Sequence, residues 1–223
     1  MTEAARRGRS AEGRAEVRRE LVAAAVHLFT VRGYDETTVD DIAGAAGVGR
    51  RTFFRYFTGK EHAVSPDHEA GLARVAAVFD DAHADEPVTS LVLRAGETVF
   101  DLYTDDPALS VERFRLTHRV PALRDRESAS VDHYRRLFTR TLRRRFADEP
   151  DGDLRAAVTG AAVVAAHNLA LRTWLADGAP ADGEAACRQR FRRVAALLPA
   201  EDGLRTVTER LEVAVGRLEQ GGR

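Results

Sequence analysis

Apolar residues recur along the chain at helical spacing, and the alternating β-branched runs typical of strands are absent. The clearest stripe lies on residues 11–32, a predicted helix that Gly33 is expected to end. Its members are Val17, Leu21, Ala24, Ala25, Leu28 and Phe29. The pattern therefore predicts an all-α protein.

Short predicted helices follow the first one. Thr37 or Thr38 is expected to cap a helix that ends near Ala45, because an aspartate stands three residues after each threonine. Gly47 marks a tight break before a second short helix. Prolines and glycines separate the remaining amphipathic stretches. The predicted helices are 11–32, 38–45, 50–57, 59–84, 88–105, 107–119, 122–147, 152–176, 183–198 and 201–219.

The segment 37–57 has the pattern of a helix-turn-helix. Two short helices flank a turn that contains glycine, and one set of apolar residues is placed to be buried between them. That set is Val39, Ile42, Ala43, Val48, Phe53 and Phe57. Phe53 and Phe57 stand four residues apart and anchor the second helix, which leaves its other face open to a DNA major groove.

Charge supports this interpretation. The net charge is −1, yet basic residues outnumber acidic ones in the first 60 residues and acidic ones prevail afterwards. Residues 47–60 contain four basic side chains, aromatic residues between them and no acid. Arg6, Arg7, Arg9 and Arg14 form a basic N-terminal arm, which either enters a minor groove or is a tail with incidental charge.

Composition limits the class of protein. Hydrophobic residues make up 44% and charged residues 31%, an ordinary globular mixture. The single cysteine, Cys187, excludes an internal disulfide and favours a reducing, cytoplasmic location. Residues 156–171 carry no charge, but they are rich in alanine and too few to cross a bilayer, so we expect an interior helix and no membrane partner.

From Thr37 to Glu61 the sequence resembles the TetR family of transcriptional regulators. The run Thr-Thr-Val-Asp-Asp-Ile-Ala-Gly-Ala-Ala-Gly-Val-Gly carries the resemblance, together with the aromatic helix after it and Lys60-Glu61. Gly49 departs from the usual serine, and Phe54 from a frequent tyrosine. The resemblance implies an N-terminal helix-turn-helix domain in residues 1–60 and an effector-binding and dimerisation domain in residues 61–223.

The resemblance also implies site residues. Contacts with bases or phosphates fall on the recognition helix, and contacts with the DNA backbone fall at the start of the preceding helix and on a lysine after the recognition helix. These positions are Thr37, Thr38, Arg50, Arg51, Thr52, Phe54, Arg55, Tyr56 and Lys60. The expected partner is double-stranded operator DNA.

A small apolar or amphipathic effector is the second expected partner. Aromatic and isolated polar residues on the middle helices are candidates to surround it, although for any one of them ordinary core packing is the simpler explanation. The candidates are Phe100, Tyr103, Phe114, His118, Tyr134, Phe138, His167, Asn168 and Trp174. The predicted helix 59–84 connects this region to the helix-turn-helix and is a candidate lever.

A homodimer is expected, because a single short recognition helix reads too few bases for a regulatory site. The predicted interface uses small and apolar residues, which serve equally well in an intramolecular core. They are Leu154, Ala157, Gly160, Ala161, Val164, Ala165, Val194, Leu197 and Leu198.

No catalytic, metal-binding or cofactor-binding motif appears in the sequence. The prediction is therefore a ligand-responsive regulator, most simply a repressor that binds an inverted repeat. The alternatives are an activator or dual regulator of the same architecture, and a helical interaction module or enzyme whose basic helix is incidental.

Overall fold

In a computed structural model, residues 11–198 are described, and they form nine α-helices, two 3-10 turns and no strand. The helices are α1 (Ala11–Val31), α2 (Val39–Ala45), α3 (Arg50–Phe53), α4 (His68–Asp80), α5 (Val88–Thr104), α6 (Pro107–Arg119), α7 (Pro121–Arg145), α8 (Gly152–Ala176) and α9 (Gly183–Arg192). The 3-10 turns are Lys60–Ala63 and Arg193–Leu197. The all-α prediction is confirmed; the predicted helix 201–219 and Arg6, Arg7 and Arg9 lie outside the described residues.

The predicted continuous helix 59–84 is wrong. A 3-10 turn, Lys60–Ala63, comes first, and α4 begins only at His68. Pro66 explains the break, because proline disfavours helical geometry in the residue before it. The Asp67 side chain then accepts a hydrogen bond from the Ala70 N–H at 3.1 Å and caps α4. A single rigid lever between the two parts of the chain is thereby excluded.

Two further helices are shorter than predicted. Helix α3 ends at Phe53, and residues 54–57 continue in hydrogen-bonded turns. Helix α9 ends at Arg192 and continues as the second 3-10 turn. At Gly33 the prediction is confirmed, since α1 ends at Val31 and Gly33 adopts a φ of +94°.

The first hydrophobic core belongs to residues 11–64, which we call the helix-turn-helix domain. The largest of its fully buried side chains are Leu21, Ile42 and Phe53. Two residues from later in the chain, Leu116 of α6 and Leu123 of α7, are buried in the same core. The helix-turn-helix domain is therefore packed directly onto the α6–α7 corner.

The second core belongs to residues 68–198, which we call the helical domain. Phe100, Phe138 and Phe191 are its largest fully buried side chains. Helix α8 is long and apolar enough to span a membrane by length and composition. Its buried residues, including Val163 and Trp174, lie in this core, and α8 packs on α7 and α9. Helix α8 is accordingly a core helix with one outward face.

Candidate DNA-binding face and internal cavity

Helix α2 begins with a complete capping box. The Asp41 N–H donates to the Thr38 hydroxyl at 3.1 Å, and the Thr38 N–H donates back to the Asp41 carboxylate at 2.9 Å. Hydrogen bonds from the Thr38 side chain and backbone lower the pKa of Asp41. Of the two candidate caps, the structure selects Thr38, and this reciprocal pair fixes where α2 starts.

The turn between α2 and α3 depends on Gly47, whose φ is +66°. The Val48 N–H then donates to the Ala43 carbonyl at 2.9 Å and closes the turn. Behind it, Ile42 and Phe53 are both fully buried. This geometry fixes one face of α3 against the core and leaves the other outside.

The outer face of α3 and the turns after it carry Arg51, Phe54 and Arg55. All three are exposed, and Phe54 retains 46% of its accessible surface although it is apolar. The neighbouring Arg50 differs, because its guanidinium contacts Asp40 of α2 at 2.8 Å and lies 5.3 Å from the centre of the Phe54 ring. Arg51 and Arg55 are therefore the cations available to an incoming anion such as a DNA phosphate.

The helical domain contains a small cavity of about 30 Å³ between α4, α5, α7 and α8. Its lining is mainly apolar, with Val99, Val131 and Val163 among the contributors, but polar atoms are spaced between them. The buried His167 Nε2 and His68 Nδ1 atoms have no hydrogen-bond partner. Burial lowers the pKa of His167 to about 4, so its ring is neutral at pH 7.

A carboxylate, Glu127, lies at the centre of the polar part of this lining. One oxygen is 3.1 Å from His68 Nε2, and the other accepts a hydrogen bond from the Tyr103 hydroxyl at 3.5 Å. Burial by itself raises the pKa of Glu127, but the hydrogen bond and charge of His68, helped by Arg172, outweigh burial and lower it. Burial and the Glu127 charge together raise the pKa of Tyr103 well above its usual value.

A second cavity, of about 50 Å³, shares Tyr103, Glu127 and Asn168 with the first and extends toward α6. Arg113 and Arg172 line it, as do Phe114 and His118, whose rings lie 4.1 Å apart. The two cavities together present an apolar interior and a polar, partly cationic side.

Comparison with known proteins agrees with this geometry. Residues 21–62 match the family model for bacterial regulatory proteins of the tetR family, and residues 86–199 match the model for the MftR C-terminal domain. The chain belongs to the TetR family. It is a TetR-family transcriptional regulator with a helix-turn-helix domain and a helical C-terminal domain. Membership of the TetR family implies DNA binding and dimerisation.

Two curated relatives of this TetR-family regulator are themselves transcriptional regulators. The mycofactocin biosynthesis transcriptional regulator MftR of Mycobacterium tuberculosis is 28% identical over 54% of this chain, and the match spans 61% of that protein, less than two thirds of its length. The HTH-type transcriptional regulator TcmR of Streptomyces glaucescens is 29% identical, with 70% of this chain and 72% of TcmR covered.

A solved structure shows the same fold. The transcriptional regulator FadR from Bacillus subtilis, in complex with stearoyl-CoA, superposes with a TM-score of 0.54. The match covers 79% of this chain and 97% of FadR at 16% identity.

Several residues predicted to contact DNA in this TetR-family regulator are not free to do so. Thr37 is 0% exposed, and its hydroxyl donates to the Gly33 carbonyl at 2.7 Å. The prediction that this hydroxyl contacts the DNA backbone is therefore wrong. The Tyr56 hydroxyl is buried without a partner, and Thr52 is half-buried. Thr38 is exposed, and its hydroxyl is engaged in the capping box.

Lys60 is also turned inward. Its ammonium donates to the carbonyls of Tyr34 at 2.6 Å and Thr37 at 3.0 Å, and lies 4.2 Å from the centre of the Tyr34 ring. Lys60 thus holds the α1–α2 connection to the 3-10 turn.

The residues predicted to surround the effector fall into three groups: those that line the first cavity, those that line the second, and those that line neither. Tyr103, Tyr134, Phe138, His167 and Asn168 line the first cavity, and Phe114 and His118 line the second. Two do not line either cavity. Phe100 packs its ring 4.1 Å from His167 and 5.6 Å from Phe191, and the Trp174 indole donates to the Pro180 carbonyl at 3.0 Å.

The predicted dimer residues divide too. Gly160 and Val194 are buried in their own subunit, and a Cβ on Gly160 would meet Thr139 Oγ1 at 2.9 Å. These two residues therefore belong to the core of one subunit, which was the alternative to a place in the dimer interface. Leu154, Ala161 and Ala165 are exposed, and with Val158 and Leu169 they form one apolar stripe along α8. Leu154 is 64% exposed and Leu169 59%.

Sequence reasoning missed His68, Glu127 and Arg113 at the cavities. Pro66-Asp67 is a helix-start signal that would have placed His68 in the first turn of α4. Glu127 stands in a highly charged stretch of α7 whose pattern is typical of a solvent-exposed helix face. Nothing in the local sequence therefore distinguishes Glu127 from its charged neighbours.

Proposed function

We propose that this protein is a homodimeric, ligand-responsive repressor that binds an inverted-repeat operator in the cytoplasm. The observation that carries the proposal is the open face of α3, where Arg51, Phe54 and Arg55 are exposed while Phe53 holds the opposite side in the core. That face suits the major groove, where arginine reads guanine through paired hydrogen bonds.

DNA binding is tested with an operator selected from genomic fragments. Arg51→Ala is expected to lose about 1–3 kcal/mol of operator affinity if Arg51 makes a bidentate guanine contact, and to relax preference at one base pair. Arg144→Ala, an exposed arginine at the far end of α7, is the matched control. Full operator affinity in the Arg50/Arg51 double alanine variant would contradict the proposal.

Dimerisation is proposed to use the exposed stripe of α8. A continuous apolar face on a core helix is unusual for a monomer and suits contact with a second copy related by a two-fold axis. Val158→Asp places a charge in the middle of this stripe, and Val158 is 52% exposed, so the monomer fold tolerates it.

Sedimentation measures the outcome. The wild type is expected to be a dimer at micromolar concentration and Val158→Asp a monomer, while Ala129→Asp on the exposed side of α7 stays dimeric. A monomeric wild type would refute the dimer, and a dimeric Val158→Asp would place the interface elsewhere.

The effector is proposed to enter the cavity between α4, α5, α7 and α8 and to lower operator affinity. The present cavities are far smaller than the roughly 300–1,000 Å³ of drug-sized sites, so binding requires the helices to move apart. His68, in the first turn of α4, both lines the cavity and is held by Glu127. An effector that displaces this contact shifts α4, which follows the helix-turn-helix domain directly.

Stearoyl-CoA is the first probe, because the Bacillus subtilis regulator of the same fold was solved with it. Calorimetric titration measures the affinity for stearoyl-CoA with and without operator, and the affinity for operator with and without stearoyl-CoA. Each ligand is expected to weaken binding of the other by the same factor, as linkage requires. Val131→Phe fills the cavity and is expected to abolish binding, whereas Ala129→Phe on the outside of α7 is not. Equal affinity with and without operator would eliminate the allosteric mechanism.

A further inference from the structure

A wide cleft lies between the helix-turn-helix domain and the helical domain. Its walls are α1 on one side and α4, the end of α5 and α6 on the other, and its volume is about 420 Å³. That volume is within the range of small-molecule sites. Four arginines line it, namely Arg18, Arg19, Arg74 and Arg113.

The acidic residues in the cleft neutralise these arginines only in part. Asp67 pairs with Arg18 at 3.2 Å and also caps α4. Asp106 accepts a hydrogen bond from the Leu109 N–H at 3.0 Å and caps α6. The third acid is Asp105. Four cations against three carboxylates, two of which are engaged at helix N-termini, leave the cleft positive.

Arg74 and Arg113 stand out among the four. Within residues 11–198 neither has a hydrogen bond or a carboxylate at ion-pair distance, and the Nε atom of each is buried without a partner. Burial, reinforced by the positive charge of Arg18, lowers the pKa of Arg113 to about 10. Both side chains are half-buried with the Nε atom out of contact with solvent, and an uncompensated charge in such a position is unfavourable. These two side chains lack the anion that such positions usually have.

We propose that this cleft binds a small anion carrying at least two phosphate groups, held by Arg74 and Arg113 with the exposed Arg19 at its mouth. The planar guanidinium presents paired N–H groups that match phosphate oxygens, and a doubly phosphorylated anion neutralises several unpaired cations at once. Because its walls belong to both domains, the bound anion ties α1 to α4 and α6. The site does not depend on an effector in the first internal cavity, and Arg113 lines this cleft and the second internal cavity.

Calorimetric titration of the full-length protein with inorganic pyrophosphate at low salt tests the site. The wild type is expected to bind, and Arg74→Gln and Arg113→Gln are each expected to weaken binding by about tenfold or more. Arg19→Gln, which is exposed, is expected to weaken it by about threefold, because a more solvated charge contributes less. Excess pyrophosphate is expected to raise the Tm of the wild type.

Two controls locate the anion. Arg140→Gln, exposed on α7, and Arg51→Gln, on the DNA-binding face, are both expected to leave pyrophosphate affinity within about twofold. No binding to the wild type, wild-type affinity in Arg74→Gln, or an equal loss in Arg51→Gln would overturn the proposal. Equal affinity for orthophosphate would overturn the requirement for two phosphate groups. If Arg113→Gln does not fold, Arg74→Gln and Arg19→Gln decide the outcome, and unchanged affinity in both overturns the site.

Discussion

The helix-turn-helix domain and the helical domain place their polar groups in opposite ways. In the helix-turn-helix domain the core is apolar and the charged residues of α3 face outward. In the helical domain, Glu127, His68 and His167 lie among apolar side chains around a cavity. The first arrangement suits a surface that meets a large polyanion, and the second suits recognition of a small molecule inside the protein.

The two domains are nevertheless one packed body. Leu116 and Leu123 of the helical domain are buried in the core of the helix-turn-helix domain. A displacement of the α6–α7 corner therefore acts on the DNA-binding part directly, through side-chain packing. This contact and the α4 junction replace the single long helix that the sequence predicted.

The contrast between core and surface is sharpest at two adjacent phenylalanines. Phe53→Ala is expected to lower the free energy of unfolding by about 3–5 kcal/mol and to abolish DNA binding, because Phe53 is fully buried. Phe54→Ala, the matched control, is expected to change stability by less than about 1 kcal/mol, since Phe54 is exposed. Urea denaturation measures both, and similar losses would contradict the placement of α3.

The link between the domains is tested at Leu123. Leu123→Ala is expected to lower the free energy of unfolding by about 2–5 kcal/mol, because it leaves a cavity in the shared core. The helix-turn-helix domain is expected to lose amide-exchange protection more than α8 does. Val31→Ala, at a side chain that is 60% exposed and outside the predicted dimer interface, is the control and should be neutral. Uniform loss of protection in both domains would argue against a local link.

The buried polar lining makes the helical domain sensitive to acid. The pKa of His167 is about 4 in the folded protein against an ordinary 6.5. The unfolded chain therefore binds a proton as pH falls from about 6.5 to about 4 while the folded protein does not, so stability is complete above this window and falls within it. The expected loss from this one group by pH 4 is about 3 kcal/mol.

His167→Gln removes the titrating group and is expected to show a correspondingly smaller loss of stability between pH 7 and pH 4. Denaturation at a fixed protein concentration compares the two proteins, because dimerisation shifts apparent stability. Identical pH dependence would mean that the His167 ring is hydrated in solution.

The smallest expected effect concerns Lys60. Lys60→Met keeps the apolar stem but removes hydrogen bonds to the Tyr34 and Thr37 carbonyls, so a loss of about 1–2 kcal/mol in unfolding free energy is expected. Arg55→Met, at an exposed position, is expected to weaken DNA binding without this loss. Unchanged stability in Lys60→Met would contradict this structural role and would favour the DNA contact that the sequence predicted for Lys60.

The sequence alone determined the helix-turn-helix and the succession of helices. Their signals are local: the Thr38–Asp41 capping box, Gly33 and Gly47 at positive φ, and apolar residues three or four positions apart. Tertiary structure decided the rest. Lys60 meets carbonyls 23 and 26 residues earlier in the chain, and Glu127 meets His68 59 residues away. Such pairings depend on how helices pack, and a periodic pattern specifies which face of a helix is buried but not which distant partner it meets.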